Sequence, residues 1–189
     1  MSSEAQVDFD RDRLRPLLDS GSSMFQLVSY EWERVDGALI TAALRMDRKL
    51  YKWSGARRLQ TWNMQDSRFD VVDEMMPVEM LEWFRDLDEK AILLLEDGHM
   101  LLDQNNTERG FIIWWLRELA RMTKSDNKCM ILGTVTPTTI LELDKEMPII
   151  ELDLPRRHTL GIIFDDVTDE AGLLPHQVEK SEALLDAAL

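Results

Sequence analysis

The chain has 189 residues, 44% hydrophobic and 31% charged, and its 36 acidic against 22 basic residues leave a net charge of −14. This is a globular composition with room for a sizeable core, so folding requires neither a disulfide nor a metal. With one cysteine, Cys129, an internal disulfide and a Cys-rich zinc site are excluded, and the negative charge argues against wrapping nucleic acid or lying on an anionic membrane. The segment Met1 to Arg15 is polar and of mixed charge, unlike a signal peptide. The longest apolar run, Phe111 to Leu116, is too short to span a bilayer, and a cytoplasmic location is expected. His99, His158 and His176 are far apart and form no paired ligand motif. Asn105-Asn106-Thr107 matches a glycosylation pattern, which carries no weight without a secretion signal.

In chain order, Met24 to Tyr30 is the first strand candidate. Trp32, Val35, Ala38, Leu39, Ala42, Ala43 and Met46 then recur at helical spacing. Leu50-Tyr51-Lys52-Trp53 reads as a second strand. Between Gly55 and Asp70 the pattern is hardest to read, with one short strand expected around Leu59-Gln60-Thr61-Trp62. Pro77 sits at the first turn of a helix expected over Val78 to Asp88, where its missing N–H costs nothing. Ala91-Ile92-Leu93-Leu94-Leu95 is apolar on both faces, as in a central parallel strand, and ends abruptly in Glu96-Asp97-Gly98. The clearest helix is Thr107 to Lys124, with Glu108 near its start and Arg121 and Lys124 near its end, as the helix dipole favours. Cys129 to Thr134 is another buried strand, and the last lies between Pro148 and Pro155. Arg157 to Asp166 and Lys180 to Leu189 read as helical. About five alternations of strand and helix predict βαβ units, a parallel sheet and helices on both faces. Periodicity does not supply the strand order.

The carboxyl ends of parallel strands line a ligand crevice. Glu96 and Asp97 belong there, where acids would meet a metal-bound phosphate or an attacking water, although any buried strand ends in polar residues when it reaches solvent. A phosphate loop would need glycines and a lysine between the first strand and the first helix. That connection, Ser29-Tyr30-Glu31-Trp32-Glu33-Arg34, has neither, and Glu31 and Glu33 would repel a triphosphate. Gly21-Ser22-Ser23 lies before the strand, on the wrong side. No glycine-flanked serine elbow is present. Cys129 opens an apolar run and reads as a buried, inert thiol, and His99 reads as a surface loop residue. Thr134 and Thr136 end a strand, where they either reach the crevice or satisfy a turn. Arg156-Arg157 reads as a solvated basic pair, with a neighbouring subunit's phosphate as the alternative. Phe111 to Trp115 covers more than one helix face; core packing explains most of it, and Trp114 and Trp115 are candidates for an interface.

The order of segments resembles the degenerate N-terminal domain of AAA+ ATPases of the cyanobacterial and plastid kind, in which an inactive AAA-like domain precedes an active one. The resemblance rests on Leu27 to Arg34, Tyr51 to Ser54, Pro77 to Leu102 centred on Leu93-Leu94-Leu95-Glu96-Asp97-Gly98-His99, Arg117 to Thr134, and Ile149 to Thr159. It implies a three-layer P-loop NTPase-like α/β domain over residues 1–167. Its sheet would be five-stranded and mainly parallel, in the order 5-1-4-3-2. Part of a C-terminal helical lid would follow over 168–189 and break off in an apolar helix. It also implies that Glu96 and Asp97 occupy the Walker B position, though an active domain has Asp before Glu. Thr134 falls near the polar sensor, and Leu154-Pro155-Arg156-Arg157 opens the segment leading to the lid. The Walker A loop is missing.

The reading that follows is a non-catalytic AAA+-like domain serving assembly, regulation or partner docking of an AAA+ ATPase. This chain alone is expected to lack ATPase activity and to bind no cofactor, with ATP and magnesium belonging to a full-length parent. A homo-oligomer or an adjoining ATPase domain is the expected partner. The alternatives are a nucleotide-binding ATPase domain with an atypical phosphate loop and a stand-alone acidic adaptor for a basic protein. The missing glycine-lysine loop disfavours the first alternative, and the broken-off lid disfavours the second.

Overall fold

Burial on both faces distinguishes the central strands of this chain. In a computed structural model, which describes residues 14–122 and 127–152, every residue of β1 (Met24–Val28), β5 (Ala91–Leu95) and β6 (Lys128–Thr134) is buried. The other strands are β2 (Lys49–Ser54), β3 (Arg58–Asn63), β4 (Arg68–Asp73) and β7 (Ile149–Glu151). The helices are α1 (Arg15–Asp19), α2 (Trp32–Arg45), α3 (Pro77–Asp86), α4 (Gly98–Leu101) and α5 (Arg109–Met122).

The sheet order is β4-β3-β2-β5-β6-β1-β7. The pairs β2/β5, β5/β6, β6/β1 and β1/β7 are parallel, and β2/β3 and β3/β4 are antiparallel. Counting only the parallel strands in chain order gives 5-1-4-3-2, as the resemblance implied. The strand count is corrected: the sheet has seven strands, because β3 and β4 form a hairpin added at the β2 edge. That hairpin was half-hidden because its turn has no glycine. Ser67 takes the left-handed backbone at φ +50°, and the Asn63 side-chain oxygen accepts the N–H groups of Gln65 and Asp66 instead.

Alternation along the strands divides the core in two. Ala91, Leu93 and Leu95 of β5 and Met130 and Leu132 of β6 face α3 and α5, where they meet Leu81, Phe84, Ile112 and Leu116. Ile92, Leu94, Cys129 and Ile131 face the other way, onto Leu14, Leu18, Val35, Ala38, Leu39 and Ala42 of the α1 and α2 side. Helices therefore cover both faces. Helix α3 begins at Pro77, with the Met76 N–H donating to the Glu79 carboxylate at 2.9 Å, and it ends at Asp86 because Leu87 is extended. Helix α5 is two residues shorter at its start than the apolar pattern implied. Helix α1 has no counterpart in the sequence reading, being only five residues long. The lid, the helices expected over 157–166 and 180–189, and Arg156, Arg157, His158 and His176 lie outside the described residues.

Candidate functional site

The carboxyl ends of β1, β2, β5 and β6 open on one side of the sheet. Strands β1 and β6 finish together: Val28 is in register with Thr134, and the Ser29 N–H donates to the Thr134 carbonyl at 2.9 Å. The chain then turns directly into α2. Ser29 Oγ accepts the Glu31 N–H at 2.9 Å, and Glu31 forms an ion pair with Arg34. No residue of 29–34 has a positive φ, so the turn lacks the alternating backbone that points successive N–H groups at an anion. The Trp32 indole closes the space above β6. A Cβ added to Gly133 would lie 2.8 Å from its Cζ3 and 2.9 Å from its Cη2. Glycine at 133 is therefore explained by this ring.

A cavity of about 690 Å³ lies beside Trp32, with Glu33, Asp36, Trp53, Arg57, Glu96 and Asp97 in its wall. Behind this wall, Asp36 and Glu96 hold a residue that the sequence reading missed. Lys52, on β2, is 2% exposed and sits 2.6 Å from Asp36 Oδ2 on α2 and 3.3 Å from Glu96 Oε1 at the end of β5. Its ammonium also lies 4.0 Å from the centre of the Phe69 ring. Strand alternation turns Lys52 to the α2 face, between Tyr51 and Trp53, which join the opposite core. A lysine in a short apolar run carries no functional signature, and only the approach of Asp36 reveals it. Burial raises the pKa of both Asp36 and Glu96 above ordinary carboxylate values, and Lys52 opposes that rise in each case.

Glu96 and Asp97 play different parts. Glu96 is buried, and its N–H donates to the Trp53 carbonyl at 2.9 Å, which extends the β2/β5 ladder. Asp97 is exposed, takes the left-handed backbone at φ +52° and starts α4. Behind it, a Cβ on Gly98 would collide with Leu132 Cδ1 at 2.2 Å, so α4 packs directly onto β6. His99, expected in a surface loop, is half-buried in α4, and its Nδ1 has no hydrogen-bond partner. Thr134 is fully buried at the end of β6 with an unpartnered hydroxyl, and Thr136 is exposed beyond it. Cys129 is buried in the core, and burial pushes its thiol up to about 12, so it holds its proton.

The tryptophan pair on α5 splits. Trp115 is 7% exposed and packs into the core beneath Arg85, so a surface role for it is corrected; Trp114 is 58% exposed beside Phe111 at 70%. Among the described residues, no three His, Cys, Asp or Glu side chains are grouped to hold a metal ion. No described helix is long and apolar enough to cross a membrane.

The chain was compared with known proteins. The family described as SpoVK-like AAA ATPase, N-terminal domain, matches residues 10–152. No curated protein matches the sequence. Among solved structures, the replication initiator DnaA bound to AMPPCP and single-stranded DNA superposes with a TM-score of 0.51 at 12% identity. The match covers 92% of this chain and 53% of that one. PCH-2 of C. elegans matches with a TM-score of 0.40 at 10% identity, over 94% of this chain and 47% of that one. The chain thus spans about half the length of either structure, and the DnaA likeness is one of fold. The family match and the parallel 5-1-4-3-2 core agree: the chain belongs to the SpoVK-like AAA ATPase N-terminal domains.

Proposed function

We propose that this domain does not turn over nucleotide and serves assembly or partner docking for an AAA+ ATPase. The observation that carries the reading is the β1–α2 turn. Where a phosphate loop would cradle a triphosphate, the chain has no glycine and no positive φ, and Trp32 fills the space above Gly133. The surrounding charge agrees, because Glu33, Asp36, Glu96 and Asp97 line the adjoining cavity and Lys52 is already bound to two of them. The residues present do not fit a triphosphate with its magnesium. In this reading Glu96 and Asp97 are remnants of Walker B acids that now hold Lys52 and start α4, and Thr134 is a sensor-like residue locked in the sheet. The protein is cytoplasmic.

Thermal unfolding of the chain with and without ATP and magnesium tests this. A ligand present at about a hundred times its Kd stabilises by about 2.7 kcal/mol, which corresponds to a rise of roughly 5–10 °C for a chain of this size. The expected result is no rise at millimolar ATP. A clear rise would favour a nucleotide-binding domain with an atypical phosphate loop.

A further inference from the structure

Two exposed patches on this chain are complementary. On α5, Phe111, Trp114, Arg117 and Arg121 follow one another at spacings of three, three and four, so they form one outward stripe. Its first half is aromatic and its second half basic, on a chain of net charge −14. Neither arginine makes an ion pair among the described residues, and Glu118 between them is half-buried and interacts with Arg85 on α3. A hollow of about 500 Å³ lies between Thr107, Gly110, Phe111 and Trp114. A Cβ on Gly110 would meet nothing within 4 Å, so no packing within the chain calls for glycine there.

The second patch is the outer edge of the sheet. Strand β4 is terminal, and Val71 and Val72 are 64% and 45% exposed on it. Asp73 and Glu74 follow, both exposed, whereas Asp66 and Asp70 are already paired with Arg68. Arg68, Asp70 and Asp73 and a register shift opposite Leu59 and Gln60 blunt this edge against another strand, and leave Val71 and Val72 open to contact by side chains. A helix carrying an aromatic half and a basic half fits an edge carrying two valines and then two acids.

We propose that α5 of one copy of this chain docks on the β4 edge of a second copy, with Phe111 and Trp114 against Val71 and Val72, and Arg117 and Arg121 against Asp73 and Glu74. Because the two patches are unlike and lie on different elements, the contact is head-to-tail. It propagates into a ring if the rotation closes and into a filament if it does not. The contact supplies surfaces for the assembly reading above.

Sedimentation velocity of the full chain, over a concentration series and at low and high salt, reads the contact. The expected result is self-association that weakens as salt shortens the screening length from about 10 Å to about 3 Å. R117E/R121E and D73K/E74K each place like charges across the contact and should weaken association at least about tenfold. Mixing the two variants sets opposite charges across both contacts, the acidic helix against the basic edge and the native helix against the native edge, so association with the two variants alternating should reappear. Circular dichroism checks that both variants fold. A monomeric wild type, or a mixture that stays monomeric, would overturn the proposal. Association lost in D73K/E74K but unchanged in R117E/R121E would also overturn it, and would indicate pairing of two β4 edges. The reading of the crevice fails separately: an ATP-dependent rise in thermal midpoint would favour a nucleotide-binding domain and leave this contact standing.

Discussion

At the scale of single residues, Lys52 sets the chemistry of the crevice. A lysine buried to this depth is costly unless paired, and Asp36 and Glu96 pair it. Two carboxylates for one ammonium leave an excess negative charge in a partly dry space, so burial outweighs Lys52 and both acids hold their protons more tightly than in water. The consequence for stability has a definite sign. A group whose pKa is raised on folding contributes stability below its unfolded value, about 4.5 for Glu96, and that contribution is lost as pH rises through the folded value. Glu96→Gln cannot titrate and leaves Asp36 to hold Lys52. Urea denaturation between about pH 4 and about pH 8 should therefore show the variant gaining on the wild type as pH rises. Parallel stability curves would refute this. Glu89 counters burial through its bonds from Lys49 and Tyr51, and its pKa is lowered. Its opposite contribution is common to both proteins and cancels in the comparison.

At the scale of elements, the closest fit is between α2 and β6. The first turn of α2 lays Trp32 on Gly133, where only a missing side chain allows the approach. Gly133→Ala should cost about 1–3 kcal/mol by overpacking, since the nearest atoms are a ring and Leu94 Cδ1 at 3.2 Å. Trp32→Leu should recover most of that cost in the double variant, and a double-mutant cycle by chemical denaturation measures the coupling. Additive effects would mean that the ring does not fill the space above β6. Other elements show what local pattern could and could not reveal. Pro77 and the apolar spacing after it placed α3 to within two residues at its end. The β3–β4 hairpin was only half legible, because its turn uses an Asn side chain, its register shifts at Val72, and Val71 and Val72 are exposed, so β4 shows no clean alternation.

At the scale of the whole molecule, stability should be graded across the sheet. Strands β1, β5 and β6 are buried from end to end and paired on both sides. Strand β4 is terminal, mostly exposed and paired on one side only. Native-state hydrogen exchange should show the slowest amides in β1, β5 and β6 and much faster exchange in β4. Equal protection across the sheet would contradict this gradient.

Composition and pattern sufficed for the layered α/β class, because runs such as Ala91 to Leu95 are apolar on both faces and can be satisfied only inside a parallel sheet covered by helices. They also sufficed to show that the first strand leads into a glycine-free turn, since backbone conformations that need glycine are written locally. Strand order, the pairing of Lys52 with Asp36 and Glu96, the inward turn of Trp115 and the outward turn of Trp114 were decided only by the tertiary structure. Those features depend on which segments distant in the chain become neighbours, and local periodicity carries no information about that.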